Sequence, residues 1–405
     1  MARLTVPLAD PYLLPMAALL TAIGVTEIYR LGPAGNAFRQ GLWIVIGVGV
    51  FAATLFSLHS DYRALERYKY VFGVTALVLL FLPRLPVIGE PINGARLWIH
   101  VGSLQFQPGE LGKIALIVFL AAYLRERREV LAQGRLKDWG PLLVIWGAAM
   151  LLLFVTNDLG SALLYYGIFL AMLYVATARI SFVAAALGLF LVGSYAVAQG
   201  TPHVRERVTN WLSPWSTHPV FCPQNGQMML RQNCQSYQEV QSLYSLGHGG
   251  FGGTGLGHGI FTGTTGKQVI PDLNTDFIYS ALAQELGLIG VSALLLLYMA
   301  FVLRGFRIAL AATDGFSKLL AAGLSFGFAF QTFVIVGGIS LPVRPWRCGA
   351  WPITSRPLAS LESHRRRLPS CSPRSPSLRA FLRPRRSYSR RRPLMLHALR
   401  RWKRA

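Results

Sequence analysis

Nine apolar runs, most of them near the roughly 20 residues that cross a bilayer as a helix, constrain this chain more than anything else in it. They cover residues 12–29, 42–58, 70–87, 111–124, 140–155, 159–177, 182–198, 277–303 and 319–339. The reading is an all-α integral membrane protein, a polytopic bundle of nine apparent transmembrane helices with a long extracytoplasmic loop before the eighth. Composition agrees, at 53% hydrophobic and 14% charged residues with a mean hydropathy of +0.41. No short cleavable signal stands out, because the start runs into an apolar stretch long enough to be an uncleaved first span. The net charge of +23 resembles a nucleic-acid signal until it is located. Residues 343–405 carry +17 of it and the preceding part only +6, so the membrane body is mildly basic and a soluble nucleic-acid-binding role is excluded.

Orientation follows from the basic connectors, which stay in the cytoplasm. The densest is RERREVLAQGRLKD at 125–138, and alternation from it places the N-terminus, 61–69, 177–180 and 304–318 on the same side. Three segments then lie outside: 84–110, 157–161 and the loop 199–275. That loop holds Cys222 and Cys234, for which a disulfide and two free thiols are both open; Cys348 and Cys371 give no pattern. No internal repeat suggests a transporter built from inverted halves.

Charges inside apolar segments are candidates for function, because even a permissive insertion scale charges about 2.5–3.5 kcal/mol for one at the bilayer centre. Those near or inside spans are Glu27, Glu110, Lys113, Asp158, Asp276 and Glu285. Glu110, Lys113, Asp158 and Asp276 fall at outer-side ends, where one outward-facing pocket would unite them, and Glu110 and Lys113 share a helix face. Taken alone, Asp276 reads best as a helix cap, with Asn274 and Thr275 as neighbouring cap residues. Glu285, nine residues on, faces the opposite side of the helix and is expected to bond a neighbouring helix. Glu27 is expected to reach lipid headgroups. The run GHGGFGGTGLGHG at 247–259 suits close backbone packing or a tight re-entrant turn better than phosphate binding, and His248 and His258 are weak metal candidates.

Several stretches occur in order: NGARLWIHVGSLQFQPGELGKIALIVFLAAYL (93–124), NDLGSA (157–162), YQEVQSLYSLGHGGFGGTGLGHG (237–259) and IPDLNTDFIYSALAQELGLIG (270–290). Together they resemble the SEDS family of FtsW, RodA and SpoVE, over most of the chain from the third span to Pro342. The resemblance implies a ten-span peptidoglycan glycosyltransferase of the bacterial cytoplasmic membrane that polymerises lipid II beside a class B penicillin-binding protein and other divisome or elongasome proteins. It places the family's essential acid on Asp276, as a general base taking the proton of the acceptor sugar's 4-hydroxyl. Gln107, Glu110, Lys113, Asp158 and Arg96 become substrate-binding candidates, as do Gln238, Gln241 and Ser242 in the third stretch. Lys113, Arg96 or a divalent cation such as Mg²⁺ or Mn²⁺ would balance the charge of the leaving undecaprenyl pyrophosphate, with no organic cofactor. Lys113 is also expected to pair with Asp276 before substrate arrives.

The chain departs from the family pattern in three places. Arg96 is separated from Trp98 by Leu97, the paired acids before LG read Gln284 and Glu285, and after Pro342 the expected glycine motif and tenth span give way to an Arg/Pro/Ser-rich tail. That tail, 343–405, reads as disordered and as a frameshift product, separate from a membrane domain of 1–342. The rival functions are a lipid II flippase and an inactive truncated scaffold.

Overall fold

The computed structural model describes residues 9–59, 61–85, 89–92, 95–101, 104–132, 139–156, 158–216, 218–222, 226–263 and 268–340. The chain divides into Met1–Pro345 and Trp346–Ala405. The expected tail, 343–405, lies outside the described residues.

Each of the nine apolar runs contains a helix, as it must where no water can bond the backbone. They form α1 (Leu13–Leu31), α2 (Ala34–Leu58), α3 (Lys69–Phe81), α4 (Pro108–Glu126), α5 (Gly140–Val155), α6 (Leu159–Thr177) and α7 (Ile180–Gly200), then α10 (Ile278–Ala311) and α11 (Gly315–Ser340). Six of these, α1, α2, α6, α7, α10 and α11, are long and apolar enough to cross a membrane. The other three differ for visible reasons. Helix α3 ends early because Leu82–Arg84 tightens into a 3₁₀ turn around Pro83. Helix α5 has only 16 residues, and α4 carries Glu110, Lys113, Arg125 and Glu126.

Helix α4 is nonetheless the hub. Its stretch Ala115–Leu124 is buried throughout, packed among Ala76 and Leu80 of α3, Tyr165, Ile168 and Met172 of α6, and Phe316 and Leu319 of α11. Gly323 and Gly327 of α11 permit this approach, because a Cβ at either would meet Met172, Ile117 or Ile168. By contrast, α2 and α7 contribute no buried residue and present apolar side chains outward, as lipid-facing helices do.

At the end assigned to the cytoplasm, charges join the connectors. Arg125 pairs with Glu66 and, at 3.6 Å, with Asp314, and Lys69 pairs with Glu126. Glu66, Lys69, Arg125, Glu126 and Asp314, from three of the connectors, therefore meet on one side, as the basic-loop count predicts.

The outer segments add small β elements to the helical class. Strands β1 (Gly89–Ile92), β2 (Ala95–Val101) and β3 (Leu104–Phe106) form an antiparallel sheet. The loop 199–275 folds into α8 (Pro202–Leu212), a hairpin of β4 (Pro219–Cys222) and β5 (Gln227–Leu230), and α9 (Tyr237–Gly249). Cys222 and Cys234 are disulfide-bonded, which resolves the two readings in favour of the bond.

Candidate functional site

The segment 268–287 carries both carboxylates of interest and treats them oppositely. Helix α10 begins at Ile278, and its N-cap is Phe277, with no side-chain cap bond. Asp276 sits one residue earlier in a turn closed by backbone bonds from Thr275 and Phe277 to the Asp272 carbonyl. Ile270, Leu273 and Ala281 bury the turn's apolar side against Leu31 and Phe277. Gln268 Nε2 donates to the Leu31 carbonyl at 2.8 Å. The outer end of α1 is thus the platform on which the Asp276 turn rests.

Asp276 opens on a cavity of about 730 Å³. Its polar lining includes Glu206, Arg207 and Asn210 of α8 with Gln238 and Glu239 of α9; Leu282, Leu294, Leu295, Ile335, Val336 and Ile339 of α10 and α11 supply apolar lining. The Asp276 side chain is exposed at the mouth, yet the protein around it holds its pKa above the ordinary carboxylate value. Desolvation is the largest cause, the Asp272 carboxylate adds to it, and Arg207 opposes it. Desolvation raises Glu239 as well, against a backbone hydrogen bond and Arg207. Arg207 is therefore the cation that acts on both acids.

This corrects two expectations. Lys113 does not pair with Asp276: it is 7% exposed and its Nζ bonds Glu110 Oε2 and Gln331 Oε1, each at 2.8 Å. Nor do Glu110, Lys113 and Asp158 line the Asp276 cavity. They belong to a second polar cluster beside Tyr165, whose hydroxyl donates to the Gly109 carbonyl at 2.7 Å and lies within electrostatic reach of Glu110 and Asp158. Asp158 caps α6 through Ser161 N at 3.0 Å. The clusters are separated by α11, which offers Gln331 to Lys113 and the adjacent Thr332 to the cavity.

The remaining candidates fall in several places. Gln238 lines the cavity. Ser242 is wholly buried and its hydroxyl lies 2.5 Å from that of Ser280, so it ties α9 to α10. Gln241 is half-buried on α9 and outside the cavity lining. Gln107 precedes α4 at its N-cap without a cap bond, and Arg96 is half-buried on β2. Among the described residues no three His, Cys, Asp or Glu side chains converge as ion ligands.

Glu285 does bond a neighbouring helix, as its position predicts. It is 1% exposed, pairs with Arg30 of α1, and accepts from Gly257 N at 3.2 Å and Gly259 N at 3.4 Å. Glu27 departs from expectation: it is 2% exposed and bonds Arg30 at 2.8 Å instead of reaching headgroups. The glycine run explains the geometry. Helix α10 breaks at Gly287, where φ is +66°. The amides of Thr254 and Gly255 donate to the carbonyls of Gln284 and Glu285, while those of Leu288 and Ile289 donate to Gly250 and Phe251. Bonds the helix loses at the break are made with the loop. Gly249 and Gly253 lie so close that a Cβ would collide with the carbonyl oxygens of Ala283 and Glu285, which bears out close backbone packing.

Sequence reasoning missed Arg207, Glu206 and Glu239. Their spacing carries no signal, since folding of the outer loop alone brings them to Asp276.

The family model for the cell cycle proteins FtsW, RodA and SpoVE matches residues 3–344. The peptidoglycan glycosyltransferase RodA of Mycobacterium tuberculosis is 38% identical over 354 residues, covering 82% of this chain and 71% of its own. The probable peptidoglycan glycosyltransferase FtsW of Geobacter metallireducens is 32% identical over 341 residues, covering 82% and 85%. Among solved structures, a chain described under structural coordination of polymerization and crosslinking by a peptidoglycan synthase complex superposes with a TM-score of 0.63 at 26% identity, over 83% of this chain and 89% of that one. The Thermus thermophilus rod shape determining protein RodA shares the fold, at a TM-score of 0.55 and 24% identity over 82% and 88%. With its helical bundle and its matched segments in order, the chain belongs to the FtsW/RodA/SpoVE family and is, by homology, a multi-pass peptidoglycan glycosyltransferase of the bacterial cytoplasmic membrane.

Proposed function

We propose that this chain polymerises lipid II into glycan strands, with Asp276 as the general base. The observation that carries the reading is the placement of Asp276: an exposed carboxylate two residues before α10, on a cavity with both polar and apolar lining. Such a cavity suits a ligand whose head is a sugar phosphate and whose tail is a hydrocarbon. Asp276 takes the proton from the acceptor 4-hydroxyl as that oxygen attacks the anomeric carbon of the donor; the bond to the pyrophosphate breaks and undecaprenyl pyrophosphate leaves. The raised pKa of Asp276 strengthens it as a base while leaving it responsive to Arg207. Arg207 stands where a cation would balance the developing phosphate charge. The partner we assign is a class B penicillin-binding protein, in keeping with the peptidoglycan synthase complex to which the fold is similar.

The test is glycan-chain formation from lipid II by the purified full chain and by Asp276→Ala, with lipid movement across proteoliposomes measured in parallel. Loss of polymerisation with normal membrane insertion supports the reading. Polymerisation by Asp276→Ala would remove Asp276 from the chemistry, and Asp276-dependent lipid movement without polymerisation would favour a flippase.

A further inference from the structure

Helix α8, Pro202–Leu212, is assembled the wrong way round for a soluble loop. At about 100° per residue, Val204, Val208, Trp211 and Leu212 share one stripe. Val208, Trp211 and Leu212 are 44%, 39% and 37% exposed. The opposite face carries Glu206 and Asn210, and it faces the protein: both line the Asp276 cavity, and buried Asn210 donates through Nδ2 to the Gln235 carbonyl at 3.0 Å. Polar groups point in and apolar groups point out. An isolated exposed leucine needs no explanation, whereas a one-sided stripe that includes tryptophan does.

Three observations say what covers it. One residue, Thr201, separates α8 from α7, which is long and apolar enough to cross the membrane. Arg205 at the edge of the stripe folds back and donates to the Gln199 carbonyl at 2.8 Å and its Oε1 at 3.1 Å, which fixes the first turn of α8 to the outer end of α7. Further along, Glu206, Arg207 and Asn210 meet the cavity that Phe277, Tyr279 and Ile339 also line, at the outer ends of α10 and α11. The helix therefore stays level with the ends of the membrane helices along its length. A helix at that level with its apolar stripe turned away from the protein and an exposed arginine at the stripe's edge matches the phospholipid interface, where acyl chains receive the stripe and headgroup phosphates receive the arginine.

We propose that α8 lies in the outer-leaflet interface, with Val204, Val208, Trp211 and Leu212 among the acyl chains and Arg205 at the phosphates. Its consequence is positional: the rim formed by Glu206, Arg207 and Asn210 opens the cavity sideways at headgroup depth. The inference stands on topology and surface chemistry and does not require Asp276 to be a base.

The wild-type full chain is reconstituted in vesicles of phosphatidylethanolamine and phosphatidylglycerol carrying a phospholipid with a diazirine near the top of its acyl chain. Illumination is expected to label the peptide spanning 200–216, and absence of label there, with label present on α2 and α7, overturns the proposal. A spin-label scan through Arg205→Cys, Val208→Cys, Thr209→Cys and Leu212→Cys supplies depth. Oxygen accessibility is expected to peak at 208 and 212, with nitroxides roughly 5–10 Å below the phosphates. Equal, high accessibility of all four to a water-soluble nickel chelate overturns the proposal. Should the labelled variants fail to insert, the wild-type capture decides alone.

Discussion

Asp276 and Glu285 lie nine residues apart on one segment, and the protein gives them opposite surroundings. Glu285 is enclosed, held by Arg30 and by two amides of the glycine run, in a group that also contains Glu27. Asp276 is open, backed by one repelling acid and faced by one arginine. A buried carboxylate held from several sides locks three chain segments together and has little freedom left for chemistry. One left at a mouth, with its proton affinity tuned from both directions, can exchange a proton with a ligand. The difference separates scaffold from reagent within a single stretch.

Four experiments break or sharpen that contrast, and a fifth sets its lower bound. Asp276→Ala is expected to lower lipid II polymerisation by about 10²–10⁴-fold, the range of a lost general base, with the melting temperature in detergent unchanged. Arg30→Met is expected to do the reverse. It strands two buried acids and destabilises the fold by about 3–5 kcal/mol, seen as reduced membrane accumulation and a lower melting temperature. The triple variant Glu27→Leu, Arg30→Met, Glu285→Gln is expected to recover much of that stability. It removes the charges together, while the carboxamide oxygen introduced in place of the Glu285 carboxylate still accepts from the glycine amides. Arg207→Gln is expected to move the acid limb of the polymerisation profile to higher pH. The base works only when ionised, Arg207 holds its pKa down, and removing the arginine lets the pKa climb further. The smallest effect belongs to Ser242→Ala, which removes the bond to Ser280 at about 1 kcal/mol and leaves the pH profile in place.

Much of this was legible from residues alone. The apolar runs announced every long helix, because a membrane leaves the backbone no alternative to bonding itself. From the residues alone Asp276 reads as a helix cap, whereas the cap of α10 is Phe277, and only the family resemblance of the NTDF stretch makes Asp276 a candidate base. The isolated acid in an apolar run did announce that Glu285 needed a partner. Glu27 was misread because its partner arginine, one turn later, itself turns inward to Glu285, a contact separated by 255 residues. The expected pairing of Lys113 with Asp276 fails for a similar reason: Glu110 and Gln331 hold the ammonium instead. The cavity rim was invisible, since α8 and α9 belong to a loop whose path depends on a disulfide and on contacts with helices far away in sequence. The alternation in ARLWIHV is the mark that strand β2 leaves in the sequence, faint beside the long apolar runs.

The break at Gly287 has a consequence for how the chain tolerates change. Four amides cross between the glycine run and the interrupted helix, so neither segment has a register of its own. Lengthening the run by one residue would unseat α10 as surely as a lesion in the helix. Length variation among sequences of this kind should therefore stay out of 249–259.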